Sequence, residues 1–306
     1  MSFDISLAFD KNKYLNTQAY LFTDTIKDKL PDDTIIHIVT NRGKDDEIRQ
    51  YMSDNLNTKF YFNNGNDINH LQSRCKYMFN CFKVKTNKPW LVKMELDFLF
   101  LKHLSSLDEM IYQYEDNNLD LILEPENRRI FDDKTAHRLW RIIYNAMGMK
   151  YPKDTFIEYR ENRETGLPLF GTGMIFVKSN LLDKINKRWV PLTEICERWI
   201  KYNIHPNEFA FTGLIFDEGW KWWTYEDKYK FNPIGHFRKG MFPSTELVDD
   251  CKLPDSTIIF DYHRPQWLFH VAKYNDDIKN YINNSKDKIP KDWWDLTSKD
   301  FMENIR

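Results

Sequence analysis

Two acids that close an apolar run are the first residues in this chain with chemistry to offer. Residues 90–100 read WLVKMELDFLF, so Glu95 and Asp97 follow a stretch with the look of a buried strand, and apolar residues resume at once. Carboxylates two apart at the C-terminal end of a parallel strand converge on the crevice where open α/β sheets bind ligands. Like charges that close need a cation between them. A divalent ion with oxygen ligands, Mg²⁺ or Mn²⁺, bridging the oxygens of a diphosphate would supply it.

The elements around this pair alternate. Strands are predicted at Phe3–Phe9, Thr34–Thr40, Lys59–Phe62, Pro89–Met94 and Leu119–Leu123. Helical spacing falls between them, at Lys13–Leu30, Asp45–Met52 and His70–Lys83. That order predicts an α/β fold with a mostly parallel central sheet and helices on both faces. Farther on come a helix at Phe131–Met147, a Gly-containing strand at Leu167–Lys178 and a long helix at Leu181–Tyr202 interrupted at Pro191. A helix at Asn207–Phe216 and late strands at Lys221–Tyr225 and Ile258–Tyr262 follow. No repeat or linker breaks the chain, so residues 1–306 read as one domain. Residues 1–125 would form the ligand-binding half, 126–275 a second half and 276–306 a helical tail.

Composition narrows the function. The chain has 306 residues, 42% of them apolar and 29% charged, the make-up of a globular protein with a large core. Net charge is −2, which gives no compositional support for a nucleic-acid partner. Four cysteines match neither a zinc ribbon nor a disulfide scaffold. No run is long enough for a transmembrane segment and no signal peptide is legible, so a soluble, cytoplasmic protein is expected. Aromatics are abundant at 16%, and flat apolar faces with polar edges suit sugars or bases as well as cores. Trp220, Trp222 and Trp223 are a candidate acceptor platform.

An apolar strand that ends in Asp-x-Asp, or in the Glu-x-Asp seen here, resembles the donor-binding signature of GT-A-fold glycosyltransferases. Several further segments agree over roughly residues 3–275. SLAFDKNKY is similar to the family's first strand and nucleotide loop, which implies donor contacts from Asp10 and Tyr14. Ser73-Arg74-Cys75-Lys76 resembles the basic stretch ahead of the acidic motif and implies diphosphate or sugar contacts from Arg74 and Lys76. Phe170-Gly171-Thr172-Gly173 resembles the strand whose small residues let the sugar approach, so Gly171 and Gly173 join Glu95 in the donor list. The same glycines are also what a β-bulge would use. His205-Pro206-Asn207-Glu208 is similar to the helix start that carries an acid, which implies Glu208, held ionised by the helix N-terminus, as general base in an inverting reaction or as a substrate-orienting acid in a retaining one. Asp217 is the next candidate. Asp261-Tyr262-His263-Arg264-Pro265 resembles the segment that completes the metal shell, so the implied ligands are Glu95, Asp97 and His263, with His270 as the alternative to the histidine.

The resemblance implies a GT-A-like (Rossmann-like) fold and transfer of a sugar from a nucleoside diphosphate donor to a glycan or other hydroxyl acceptor, with Mn²⁺ or Mg²⁺. Two other classes fit parts of the pattern. One is a carbohydrate-binding protein on the same fold. The other is a metal-dependent hydrolase built on Asp261, His263 and His270, though the dense ligand clusters of such sites are lacking. A nucleotidyltransferase would need a Gly-rich phosphate loop near the first strand, which is absent.

Overall fold

The computed structural model describes residues 2–72, 76–115, 117–126, 131–159, 164–202, 205–226, 228–231, 253–262, 265–272 and 275–289. Its centre is a seven-stranded sheet built from β1 (Phe3–Phe9), β2 (Ile36–Thr40), β3 (Thr58–Phe62), β4 (Trp90–Lys93), β6 (Leu121–Pro125), β9 (Phe170–Lys178) and β10 (Trp222–Thr224). In space the order is β10-β6-β9-β4-β1-β2-β3. The pairs β1/β2, β1/β4, β2/β3 and β10/β6 are parallel, as the strand–helix alternation predicts. β9 differs: it runs antiparallel to both β4 and β6. Hydrophobic patterning carries no direction, so this reversal is not visible in the residues of β9 themselves.

Alternation along the strands sorts the core into two layers. Ile122, Phe176, Val92, Ile5 and Ile38 face one side, with Phe22 and Ile26 of α1 (Lys13–Ile26), Ile48 and Met52 of α2 (Glu47–Asn55) and Met110 of α3 (Ser105–Glu115). Leu121, Leu123, Val177, Leu91 and Val39 face the other, with Trp140 and Tyr144 of α4 (Asp133–Ala146), Trp189 of α5 (Leu182–Cys196) and Phe211 of α6 (Pro206–Glu218). Strands covered on both faces are buried at nearly every position, so the starts of β4 and β6 read as apolar runs, while β1 and β2 also bury polar residues, Asp4, Ser6 and His37. Much of the aromatic excess is spent here: Phe79, Phe82, Trp189 and Phe211 form one stack, with ring centroids 4.6 Å (Phe79–Trp189) and 5.0 Å (Trp189–Phe211) apart.

Local rules set the ends of several helices. The Asp46 side chain caps α2 by accepting from the N–H groups of Ile48 and Arg49, and Asp132 caps α4 through Thr135 N. Pro206 opens α6 at its first turn, and Gly219, at φ 67°, closes it in the left-handed conformation. Pro191 lies inside α5 without ending it; the helix runs to Cys196 and tightens into a 3₁₀ run over Glu197–Tyr202. The helix expected at His70–Lys83 is corrected to a 3₁₀ run over Lys76–Phe82. Five consecutive residues, Met78–Phe82, are buried there, which one face of an α-helix does not allow.

Among the described residues there are two further small sheets. β7 (Ile157–Glu158) pairs with β8 (Thr165–Gly166). β11 (Lys230–Phe231), β12 (Ile259–Asp261) and β5 (Phe98–Phe100) form the other. β5 begins at the residue after Asp97, so this sheet adjoins the acidic pair that follows β4. Helix α7 (Pro265–Ala272) follows β12, and α8 (Asp276–Asn284) lies against α1.

Candidate active site

The site begins where β9 leaves register with β6. Ile122 pairs with Phe176, but Glu124 pairs with Gly171. One residue of β6, Leu123, therefore faces four of β9, Thr172–Ile175. This is the bulge that the two glycines allow. It frees the carbonyls of Thr172 and Gly173 from the ladder, and both accept hydrogen bonds from the buried ammonium of Lys93, Gly173 O at 3.3 Å. The third proton of Lys93 Nζ goes to Glu95 Oε1 at 2.8 Å. The expected strand-end acid is thus in place, and held from inside the protein.

A second ammonium sits across the bulge. Lys230 of β11, 2% exposed, is 2.7 Å from Glu124 Oε2 and 2.7 Å from Asp261 Oδ2, and lies over the Phe98 ring at 4.9 Å. Tyr225 OH also donates to Glu124 Oε2, at 3.1 Å. Gly173 is where these groups meet. A Cβ on it would lie 3.0 Å from Lys230 Nζ, 3.6 Å from Glu124 Oε2 and 3.7 Å from Glu95 Oε2. The space in front of Gly173, expected to admit a sugar, is shared by protein charges in the ligand-free chain. Gly171 packs against the Glu124 side chain.

Helix α6 brings the acid expected of it, in a different state. Glu208 is in the first turn and buried. Burial, then the charges of Glu126, Glu95 and Glu124, push its carboxyl well above the usual carboxylate range, and it is hydrogen-bonded to Glu126. First-turn N–H groups do not hold it ionised; desolvation and three neighbouring carboxylates win over the helix end. Its neighbour Asn207 ties the helix to the bulge, since Asn207 Nδ2 donates to Thr172 Oγ1 at 2.9 Å. Asp217, the other candidate base, is 2.7 Å from Arg188 in an ion pair at the far end of α6.

Asp10 directly follows β1, the parallel neighbour of β4. Its carboxylate is close enough to Tyr77 that, after burial, its charge raises the phenol. Tyr77 OH in turn accepts from Asn41 Nδ2 at 3.0 Å. The loop after Asp10 is fastened by Arg42, a buried residue the sequence reading missed. Arg42 donates to Asp46 Oδ1 and Oδ2 at 3.0 and 3.1 Å, to Asp10 O at 3.2 Å and to Asn16 Oδ1 at 2.5 Å. Tyr14 lies in the first turn of α1. Lys76 donates to Asn69 O at 2.8 Å on the surface. Arg74 and His263 lie outside the described residues.

Asp97 is buried, and its carbonyl accepts from Tyr262 N at 3.1 Å, which brings the chain up to residue 262 alongside the acidic motif. Carboxylate oxygens suit Mg²⁺ or Mn²⁺, and Glu95 keeps Oε2 apart from its bond to Lys93, so the donor chemistry of Glu95 and Asp97 fits such an ion. Among the described residues no three His, Cys, Asp or Glu side chains converge into a complete cage. The tryptophan platform is corrected: Trp220 is buried, Trp222 packs on Phe170 at 4.8 Å, and of the three only Trp223 is largely exposed, on the edge strand.

Sequence reasoning also missed Lys93, Glu124, Glu126 and Lys230. The signal was there for the first three. Lys93 is a lone charge inside an apolar run, and LILEPE repeats the pattern of a strand closed by two acids.

No protein-family model matches the chain, and no curated protein does. Solved structures do. The galactosyltransferase LgtC, solved with donor and acceptor sugar analogues, superposes with a TM-score of 0.56 at 15% identity, over 95% of this chain and 98% of that one. Mouse xyloside xylosyltransferase 1 gives 0.51 at 11% identity, over 85% and 97%. The glycosyltransferase GlyE of Streptococcus pneumoniae TIGR4 gives 0.50 at 14% identity, over 93% of this chain and 64% of that one. The chain therefore has the GT-A fold on which these glycosyltransferases are built. Among the described residues no helix is long and apolar enough to cross a membrane.

Proposed function

We propose that this protein is a glycosyltransferase that moves a sugar from a nucleoside diphosphate donor to a hydroxyl acceptor. The observation that carries the reading is the acidic pair at the end of β4, with Glu95 held by Lys93 against a bulge in β9 and its charge felt by Glu208 in the first turn of α6. Asp97 and Glu95, with His263, would hold Mn²⁺ or Mg²⁺, whose charge would offset that developing on the leaving diphosphate. Asp10, whose loop Arg42 fastens, is a proposed contact of the nucleotide. Arg74 and Lys76 are proposed diphosphate contacts.

The chain's own part in the chemistry is positioning and proton handling. Glu208 and Glu126 share one hydrogen bond, so the pair offers both an acid and a base. In an inverting reaction it would take the proton of the acceptor hydroxyl; in a retaining one it would orient the substrates. Thermal denaturation with uridine and guanosine diphosphates, with and without Mn²⁺, tests the reading. A ligand at 100 times its dissociation constant adds about 2.7 kcal/mol of stability. Asp97→Asn should abolish the Mn²⁺-dependent part of that shift. No shift with any nucleoside diphosphate would overturn the proposal.

A further inference from the structure

The buried Lys93 is not needed to build a strand. It is fully buried in β4, where an apolar side chain would ordinarily stand. An ammonium has three protons, and all three are used here: on Glu95 Oε1, on Thr172 O and on Gly173 O. None remains for a substrate, so any effect on the reaction passes through Glu95 and the bulge. Glu95 is the partly open partner of the pair, with its side chain 32% exposed. With Oε1 on Lys93, it has Oε2 to offer a cation.

We propose that Lys93 is a positioning residue that sets the cation affinity of this site. It limits Glu95 to ligation through one oxygen and places a fixed positive charge beside the ion, so that Asp97 carries most of the binding. The inference rests on the reading of Glu95 and Asp97 as cation ligands and adds a direction to it: the ammonium weakens cation binding while ordering the ligand. A merely structural lysine would have the opposite signature, because its loss would loosen the ligands and weaken the ion.

Free Mn²⁺ can be counted by electron paramagnetic resonance during titration of the full-length protein with uridine diphosphate present. Lys93→Met keeps the length of the side chain and removes the charge. It should tighten Mn²⁺ by about tenfold or more, the effect of one like charge within a few ångströms. Lys93→Met/Glu95→Gln should return the affinity toward wild type, a coupling that a cycle of the four proteins reads directly. Should Lys93→Met fail to fold, the comparison of Glu95→Gln with Asp97→Asn still decides. Glu95→Gln should weaken Mn²⁺ at least about tenfold less than Asp97→Asn, because Glu95 is already committed to Lys93. Weaker binding in Lys93→Met, or equal losses in Glu95→Gln and Asp97→Asn, overturns the proposal. If neither wild type nor Lys93→Met binds Mn²⁺ while both bind the nucleotide, the cation reading falls and takes this one with it. Binding by Lys93→Met alone is this proposal in its strongest form.

Discussion

Gly173→Ala tests whether the glycines of β9 serve the protein's own charges or an incoming sugar. The added methyl would lie 3.0 Å from Lys230 Nζ, tighter than most real contacts of a Cβ. A lysine usually swings aside, but this one is pinned. Glu124 and Asp261 hold it from two sides at 2.7 Å each, and the Phe98 ring lies beneath it. Moving it a few tenths of an ångström stretches two charged hydrogen bonds, each worth about 1.5–3 kcal/mol when intact. Overpacking of this degree costs about 1–3 kcal/mol, and that is the loss expected in urea denaturation. Gly171→Ala is the control. The atoms nearest its methyl belong to the Glu124 side chain, at 3.5 Å and beyond, an ordinary contact. Neither glycine has a positive φ, so alanine fits both backbones. Gly171→Ala should therefore be neutral or stabilising by about 0.4–1 kcal/mol, through the stiffer unfolded chain. Equal losses at the two positions, or a neutral Gly173→Ala, would refute the claim that Lys230 fills the space in front of Gly173.

Two further outcomes are expected, one at Glu208 and one at Arg42. Glu208 takes up a proton on folding, so its contribution to stability is complete below the ordinary glutamate range and is lost as pH rises toward its raised folded value. Glu208→Gln should thus raise the melting temperature of the ligand-free protein more at about pH 8 than at about pH 4, and a gain that is flat with pH would sink the assignment. Arg42→Lys replaces a planar fork with a point charge that cannot reach Asp46, Asp10 O and Asn16 together. It should cost about 1–3 kcal/mol in denaturation and weaken nucleoside diphosphate binding, and an unchanged affinity would detach the Asp10 loop from the nucleotide.

What the sequence revealed and what it hid divide along one physical line. Strands covered on both faces announce themselves where they are apolar at successive positions, as at Trp90–Val92 of β4 and Leu121–Leu123 of β6; β1 was legible instead from alternation and β2 from its β-branched residues. Acids that end such a run are equally plain, so Glu95 and Asp97 were legible. The first turn of α6 was legible too, from Pro206 and the acid after it. The charge state of Glu208 was not, since it depends on Glu95, Glu124 and Glu126, which arrive from other elements. Lys230 was hidden for the same reason: its partners lie 106 residues away on β6 and 31 away on β12, and no local pattern joins them. The 3₁₀ run at Lys76–Phe82 was read as helix because apolar spacing alone does not distinguish a tight turn packed on β1 from an amphipathic face.

The hidden residues explain how so acidic a crevice folds without its ligands. Buried carboxylates destabilise a protein unless they are paired or protonated. Here Lys93 answers Glu95, Lys230 answers Glu124 and Asp261, and Glu208 keeps its proton. That balance has a consequence for binding. The three protons of Lys93 are committed inside the protein, and Lys230 is held by two carboxylates, so neither ammonium is poised to receive a diphosphate. An anion entering between Glu95 and Glu208 would meet carboxyl groups. The proposed divalent ion on Asp97 and Glu95 would supply the positive charge that such an anion needs. In this reading the internal lysines balance the protein's own carboxylates and leave the charge of the donor to be met by the cation.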